Sequence, residues 1–427
     1  MSVAGAIVDP AEFFGEAAIQ DPYPLYARLR AEGGVHRVGD SGFYLVSSWA
    51  AVSEAATRPA DFSSNLTGPI TYSPQRGVAP LPMDGLGGPT HILATADDPP
   101  HAVHRKLMVG QFTAKRVRGL ESLIVETFEK LWGAASSGAA SSGAASSGPA
   151  SSGPASSGTA VEWMDTVANR LPMMIVARLI GVPDDDSDQL ARWGYASTQL
   201  LDGLLSEEQV NASMAALGEL NGYIVERLAA ANDEPGDDLI GVLATACKAG
   251  QLERFTAQMI LISLFSAGGE STASLLGTAV DILAADAGLQ RRLREDPTLL
   301  GPFVEETLRL EPSFRAHHRH VVVDTALAGT TLPRDSRLLL LWGAANRDPA
   351  QFADPDTFRL DRPVTKGHMT FGKGLHFCLG APLARLEAVT VLRLLLARTT
   401  WFEAAEVGPW LPSVLARRRE YLRLVVD

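Results

Sequence analysis

The chain has 427 residues, of which 46% are hydrophobic and 20% are charged, as is usual for a globular protein with a large core. Its formal net charge of −12, without a block of like charge, argues against a nucleic-acid-binding surface. No apolar run reaches the roughly 18–20 residues of a membrane span, and residues 1–9 lack the features of a signal peptide. Two widely separated cysteines give no disulfide framework, so we expect a cytoplasmic protein without a membrane anchor.

The N-terminal part predicts a helix, a strand and a long loop. Residues 21–32 have the apolar periodicity of an amphipathic helix, and residues 42–46 read as a short strand. Residues 62–95 are rich in glycine and proline and predict a loop that ends at Pro99 and Pro100.

A helix is predicted to follow these prolines. It places His101 and Arg105 four residues apart on one face. Two such donors can hold carboxylates, although a pair of this kind on a helix is more often simply solvated.

Residues 134–158 repeat a five-residue unit, AASSG three times and PASSG twice. The repeat has no bulky apolar side chain and no charge, so its composition predicts a flexible coil. A linker between two domains and an insertion within one domain both fit this composition.

The next segments are predicted to be helical, at residues 161–181, 190–231 and 259–283. The last contains Gly268, Gly269 and Glu270 within an apolar stretch. Two glycines and a buried carboxylate both destabilise a helix, so this conflict indicates a functional segment.

The run 371–380 contains Cys378, and helical periodicity begins just after it. Unpaired N–H groups and the positive dipole end of a helix favour a thiolate, which is the form that ligates metals. Free cysteines are, however, often buried structural thiols. Zinc bound by His376 and Cys378 is disfavoured because the sequence offers no further ligands at the usual spacing.

This run, FGKGLHFCLG, resembles the F-G-x-G-x-H-x-C-x-G haem-binding loop of the cytochrome P-450 family. The resemblance implies that Cys378 is the axial thiolate ligand of haem b and that His376 contacts a haem propionate. Residues 97–105 are similar to the family's D-x-P-x-H-x-x-x-R segment, which implies that His101 and Arg105 also bind the haem. Arg319 matches the family's propionate-binding arginine.

The glycine-rich part of the predicted central helix resembles the family's A-G-x-(D/E)-T segment on the distal haem face, where the helix opens for O2. The match implies that Gly268 lies at the haem and that Glu270 is the acid of a proton relay. Ser271 stands where the family usually has threonine, and Thr272 follows it. A serine at this position can bond its own i−4 carbonyl, which leaves Ser271 and Thr272 as alternative relay alcohols.

Two further groups are assigned by resemblance. Glu306 and Arg309 read as an exposed i, i+3 ion pair, but they match the family's E-x-x-R, which forms a buried structural network with a later arginine, here Arg362. Because every second residue of a strand lies on the same face, counting back from Arg319 places Arg315 toward the substrate, where it could bind an anionic group. The alternative is that Arg315 pairs with a protein carboxylate or turns to solvent.

The resemblance implies a mainly α fold with a small β region, with haem sandwiched between the central helix and the helix after the cysteine loop. It implies a single domain, 1–427, with 134–158 as an insertion. The expected function is that of a soluble bacterial monooxygenase inserting one oxygen atom from O2 into a small organic substrate, as a tailoring step in secondary metabolism. Ferredoxin and ferredoxin reductase are the expected electron donors, and the protein is expected to be monomeric. A peroxide-driven or non-oxygenating haem-thiolate enzyme and a non-catalytic haem sensor or carrier are the alternatives; a proton relay at Glu270 argues against them.

Overall fold

The computed structural model describes residues 7–81, 91–136, 158–183, 186–362 and 367–427. The described chain is mainly helical, as the sequence predicts. Its helices are α1 (Pro10–Phe13), α2 (Glu16–Gln20), α3 (Tyr23–Ala31), α4 (Trp49–Thr57), α5 (Pro100–Val109), α6 (Ala114–Gly119), α7 (Glu121–Ser136), α8 (Leu171–Ile180), α9 (Ser187–Gln199), α10 (Glu207–Ala230), α11 (Leu239–Lys248), α12 (Arg254–Ala284), α13 (Ala287–Glu295), α14 (Leu300–Leu310), α15 (Trp342–Ala345) and α16 (Ala381–Arg398).

The β region is small and divided among four sheets. Its strands are β1 (Ile7–Val8), β2 (Val35–Val38), β3 (Phe43–Val46), β4 (Phe62–Ser63), β5 (Ile70–Ser73), β6 (Gly77–Pro80), β7 (Thr159–Glu162), β8 (Ala316–Val321), β9 (Thr325–Leu327), β10 (Thr330–Leu332), β11 (Arg337–Leu341), β12 (Phe402–Val407) and β13 (Leu422–Val426). The largest sheet has the order β1-β2-β3-β11-β8-β4, and a second has the order β12-β13-β7. In the first, β8 pairs antiparallel with β11, so that His317 lies opposite Leu340.

Helix α12 is the centre of the helical core. It packs against α8, α9, α10, α11, α14 and α16, and much of its surface is buried. By length and composition alone it could cross a membrane, so the prediction that no apolar run is long enough for a span is wrong. Because 61% of its most apolar window is buried inside the protein, the apolar character of α12 is explained by core packing.

The two glycines of α12 lie where α8 approaches most closely. A Cβ on Gly268 would stand 2.5 Å from Val176 Cγ2, and one on Gly269 would stand 2.3 Å from Met173 Cε. Their absence of side chains therefore permits close packing of the two helices. Helix α12 is also continuous from Arg254 to Ala284, so the expected opening in this segment does not interrupt it.

Three predicted segments differ from the structure. The loop predicted at 62–95 contains β4 and the β5–β6 hairpin, and residues 82–90 lie outside the described part. The helix predicted at 161–181 begins with the end of β7, which pairs with the distant β13, and continues through a π-helical turn at Met164–Ala168 before α8. Most of the predicted 134–158 insertion lies outside the described residues, but its first three residues continue α7 rather than beginning a coil.

Candidate active site

A large cavity lies between α12 and the loop that precedes α16. The space between the protein atoms that line it is about 1530 Å³, including solvent at its mouth. Side chains of α8, α11 and α12 form an apolar wall that includes Val176, Leu239 and Leu264.

The cysteine loop forms one wall of this cavity. Gly372 and Gly374 have φ values of 73° and 71°, which favour glycine, whereas Gly380 has an ordinary φ of −80°. The Cys378 N–H donates to the Phe371 carbonyl at 2.8 Å, and α16 begins three residues later. The exposed surface of Cys378 faces the cavity, which presents its sulfur to any group bound there.

The electrostatics of Cys378 differ in part from the prediction. The backbone N–H groups of Gly380 and Ala381 lower the pKa of the thiol, as a helix start is expected to do, but burial outweighs them and raises the pKa above its ordinary value. The helix start alone therefore does not hold a thiolate. A coordinated metal ion deprotonates such a thiol outright.

The residues predicted to bind carboxylates meet at the same cavity. The rings of His101 and His376 lie 4.3 Å apart between centroids, and Arg105 and Arg319 also line the wall. The His101 Nδ1 lies 3.2 Å from an oxygen of Asp98. Burial, reinforced by the charge of Arg319, lowers the pKa of His376 to about 4.

Arg105, Arg319 and His376 fit a haem because most of their polar atoms lack partners among the described residues. Arg319 is buried, and among the described residues its guanidinium bonds only the carbonyl of its neighbour His318, at 2.8 Å. His376 Nδ1 is buried without a partner, and Arg105 has none within the described part of the chain. Burial lowers the pKa of Arg319 to about 10. A buried cation without an anionic partner lowers the stability of the folded protein. A haem carries two carboxylates that could supply this partner.

The hydroxyl residues of α12 face the cavity, near Gly268. Ser271 Oγ donates to the Ala267 carbonyl at 2.6 Å, which is the i−4 bond that the sequence predicts for a serine. Thr272 is buried and lines the cavity without a hydrogen bond from its hydroxyl to any described residue. Both alcohols are therefore within the site.

Glu270 does not line the cavity with its neighbours. It is buried, and its carboxylate accepts a hydrogen bond from Arg418 Nε at 2.8 Å. Arg418 also donates to Asn169 at 3.1 Å and lies over the ring of Tyr195. The acid predicted for proton delivery is thus held in a buried ion pair behind the two alcohols.

The predicted E-x-x-R residues form a buried cluster with Arg362. Arg309 donates to both Glu306 oxygens at 2.8 Å, and Arg362 Nε donates to the same carboxylate at 2.8 Å. These three side chains are almost completely buried, unlike an ordinary surface pair.

The predicted position of Arg315 is wrong. Its guanidinium is buried away from the cavity and donates to the carbonyls of Ala18, Ile19 and Ser413. Strand β8 begins only at Ala316, so the two-residue alternation that orients His317 and Arg319 does not extend back to this residue. Arg315 therefore serves packing of the N-terminal segment and is not offered to a substrate.

The sequence prediction also missed residues that belong to the site. Arg418 is one of three consecutive arginines in an acidic chain, a signal that could have been noticed; each pairs with a separate carboxylate. Ser313, Trp342 and Glu387 line the cavity without belonging to a motif used above, whereas His317 lies there with Arg319, as strand alternation predicts. Burial raises the pKa of Glu387 well above its ordinary value, and its Oε2 has no partner.

Comparison with known proteins identifies the family. The family model described as Cytochrome P450 matches residues 195–414. The chain is 56% identical to "Cytochrome P450 144" of Mycobacterium tuberculosis, over 98% of this chain and 92% of that protein. It is 32% identical to "Cytochrome P450 monooxygenase PikC" of Streptomyces venezuelae, over 94% and 90%. A solved structure, "The cytochrome P450 enzyme CxnD for C-S bond formation in chuangxinmycin biosynthesis", superposes with a TM-score of 0.83 at 25% identity, over 98% and 97%.

Haem bound through a cysteine thiolate is the cofactor of this family. Cys378 is the cysteine on the cavity wall, whereas Cys247 lies half-buried on α11. Similarity over almost the whole chain, at an identity well above 30%, agrees with the cavity and with the unpartnered cations around it. The chain therefore belongs to the cytochrome P450 family of haem-thiolate monooxygenases.

Proposed function

We propose that this protein inserts one oxygen atom from O2 into a small organic substrate, as a tailoring step in bacterial secondary metabolism. The observation that carries the proposal is a single cavity with Cys378 on one wall and the alcohols of α12 on another. The biosynthetic role is supported by the similarity to CxnD, which is described as an enzyme of chuangxinmycin biosynthesis. Ferredoxin and ferredoxin reductase are the proposed electron donors, and the protein is proposed to act as a cytoplasmic monomer.

The cofactor is proposed to be held by four side chains besides Cys378. His101, Arg105, Arg319 and His376 bind its carboxylates, since all four line the cavity and the rings of His101 and His376 adjoin. When bound, the haem supplies the activation of O2 and the transfer of one oxygen atom. Residues that line this cavity come from both sides of the 134–158 insertion, which supports a single domain over the whole chain.

Proton delivery is proposed to use Glu270 together with the alcohol of Ser271 or Thr272. Ser271 donates its own proton to Ala267, so its oxygen remains free to accept a hydrogen bond from a donor in the cavity. Arg418 holds the Glu270 carboxylate in place by a hydrogen bond, and Glu270 is the group that relays protons to the alcohols, taking up one proton for each that it passes on.

Turnover with isotopically labelled O2 tests the function. With ferredoxin, its reductase and NAD(P)H, we expect a product from a metabolite panel that contains one labelled oxygen atom. Equal turnover with peroxide alone would instead indicate a peroxide-driven enzyme. A product without the label would indicate a non-oxygenating reaction, which is a specific alternative because CxnD is titled for C–S bond formation.

A further inference from the structure

Two polar residues line the cavity close to the start of β8. Ser313 is buried, and its hydroxyl oxygen has no hydrogen-bond partner. His317 lies within the body of the protein, and the surface that it leaves uncovered faces the cavity. Phe314 lies between them in sequence, and its ring meets the His317 ring edge to face at 5.8 Å. An imidazole N–H inside a protein normally has a hydrogen-bond partner. The hydroxyl oxygen of Ser313 has almost no surface open to the cavity, so His317 is the group that indicates a ligand.

The hydrogen bonding of His317 fixes the position of its proton. The indole Nε1 of Trp342 lies 2.6 Å from His317 Nδ1. An indole N–H can only donate, so Nδ1 must be the acceptor, and the neutral ring must carry its proton on Nε2. Burial lowers the pKa of His317 to about 3, which agrees with a neutral ring. No described residue accepts a hydrogen bond from Nε2, which leaves this donor to the contents of the cavity.

The hydrogen-bonding capacity of His317 determines which kind of substrate group can bind beside it. His317 offers a neutral N–H donor, and the nearby Arg315 directs its charge at backbone carbonyls outside the cavity. An anion would gain no ion pair from a neutral ring, whereas a carbonyl oxygen can accept the hydrogen bond of Nε2–H. A substrate that lacked such an oxygen would leave this donor unsatisfied, which is penalised.

We propose that His317 forms a recognition subsite for an uncharged hydrogen-bond acceptor of the substrate, such as a ketone, lactone or amide carbonyl, with Trp342 positioning the His317 donor. This inference rests on the proposed function, because the substrate must share the cavity with the haem. It assigns the substrate a chemical class that is different from the anion that Arg315 would have required.

A haem carboxylate is the other oxygen acceptor that His317 could meet. Arg319 lies two residues further along β8, roughly 7 Å away, on the same face of the strand. A carboxylate bound at Arg319 would be satisfied by that charge and by His376. The experiment below distinguishes the two acceptors, because only a substrate subsite discriminates between ligands of the same shape.

The test uses azole ligands that coordinate haem iron whether or not they resemble the substrate. The ortho, meta and para isomers of imidazolyl benzophenone are titrated against the holoenzyme, together with the matching diphenylmethanes in which CH2 replaces the carbonyl. We expect at least one ketone to bind about five- to tenfold more tightly than its CH2 partner. His317→Phe is expected to abolish the preference, and His317→Gln, which keeps an N–H donor, to retain part of it. His320→Phe, on the same strand but outside the cavity lining, is the control and is expected to retain it fully.

The outcomes separate this inference from the function on which it rests. Azoles that bind with no ketone preference in any isomer, or a preference that survives His317→Phe, would overturn the subsite and leave the haem assignment intact. Azoles that produce no change in the Soret band would overturn the haem assignment and this inference with it. The role of Trp342 is read from the ¹⁵N shifts of labelled histidine in the diamagnetic CO complex: we expect the Nε2–H form in the wild type and a mixture in Trp342→Phe. A wild-type His317 protonated on Nδ1 would refute the positioning role.

Discussion

The buried Arg309 side chain gives the sharpest test of what holds the cysteine loop region together. It donates two hydrogen bonds to Glu306 and one each to the carbonyls of Asn346, Pro355 and Thr357. Replacement by leucine would leave one buried carboxylate without one of its two arginines and three carbonyls without this donor. Breaking a buried ion pair costs about 3–5 kcal/mol, and we expect the free energy of unfolding to fall by about this much.

The assay is urea unfolding of the holoenzyme, followed by circular dichroism and by loss of the Soret band. Arg170→Leu is a matched control, because Arg170 pairs with Asp188 on the surface, where the two side chains are 45% and 60% exposed. That pair is expected to contribute at most about 1 kcal/mol. If Arg309→Leu cost no more than the control, the cluster would not be a stabilising element. Arg362 remains in that variant, so a double replacement should cost more than either single one.

Three further predictions follow from other buried groups. Glu270→Gln and Ser271→Ala are each expected to lower the product formed per NAD(P)H consumed, since a positioned acid–base group contributes about 10²–10⁴-fold; unchanged coupling in both would remove the relay. Burial raises the pKa of Asp202 from its ordinary value of 3.8 to about 7 in the folded protein. Between these two pH values the folded protein holds a proton that the unfolded chain has lost, so the free energy of unfolding falls as the pH rises. In urea unfolding, Asp202→Asn is expected to raise the free energy of unfolding by up to about 4 kcal/mol at about pH 8 and by little near pH 4. An equal effect of the replacement at the two pH values would contradict this explanation. Arg315→Leu is expected to lower stability while the spin-state response to acidic ligands stays as in the wild type; a selective loss of that response would restore the anion-binding prediction.

The strongly periodic elements were predictable from the sequence. The helix expected at 21–32 is observed as α3 (Tyr23–Ala31), and the one expected at 259–283 is the core of α12 (Arg254–Ala284). Apolar spacing is a local property, so it predicts these helices without knowledge of their partners. The strand at residues 159–162 was missed because its pairing partner, β13, lies more than 250 residues away in the chain.

Some residues of the candidate site could be predicted from local sequence, and others could not. Cys378, His376 and the His101–Arg105 pair could be found because each lies within a short motif of fixed spacing. The pairing of Glu270 with Arg418 could not, because the two residues are 148 positions apart and nothing local connects them. Arg315 was misplaced for a different reason, since strand alternation was extended across an irregular segment.

The central claim is that Cys378 provides the thiolate that ligates the haem iron. The most direct measurement is the spectrum of the reduced, CO-bound protein for the wild type, Cys247→Ala and Cys378→Ala. We expect the thiolate-type Soret band in the first two and its loss in Cys378→Ala, whose haem would be weakly held or bound through another ligand. A thiolate-type band that persists in Cys378→Ala would contradict the account.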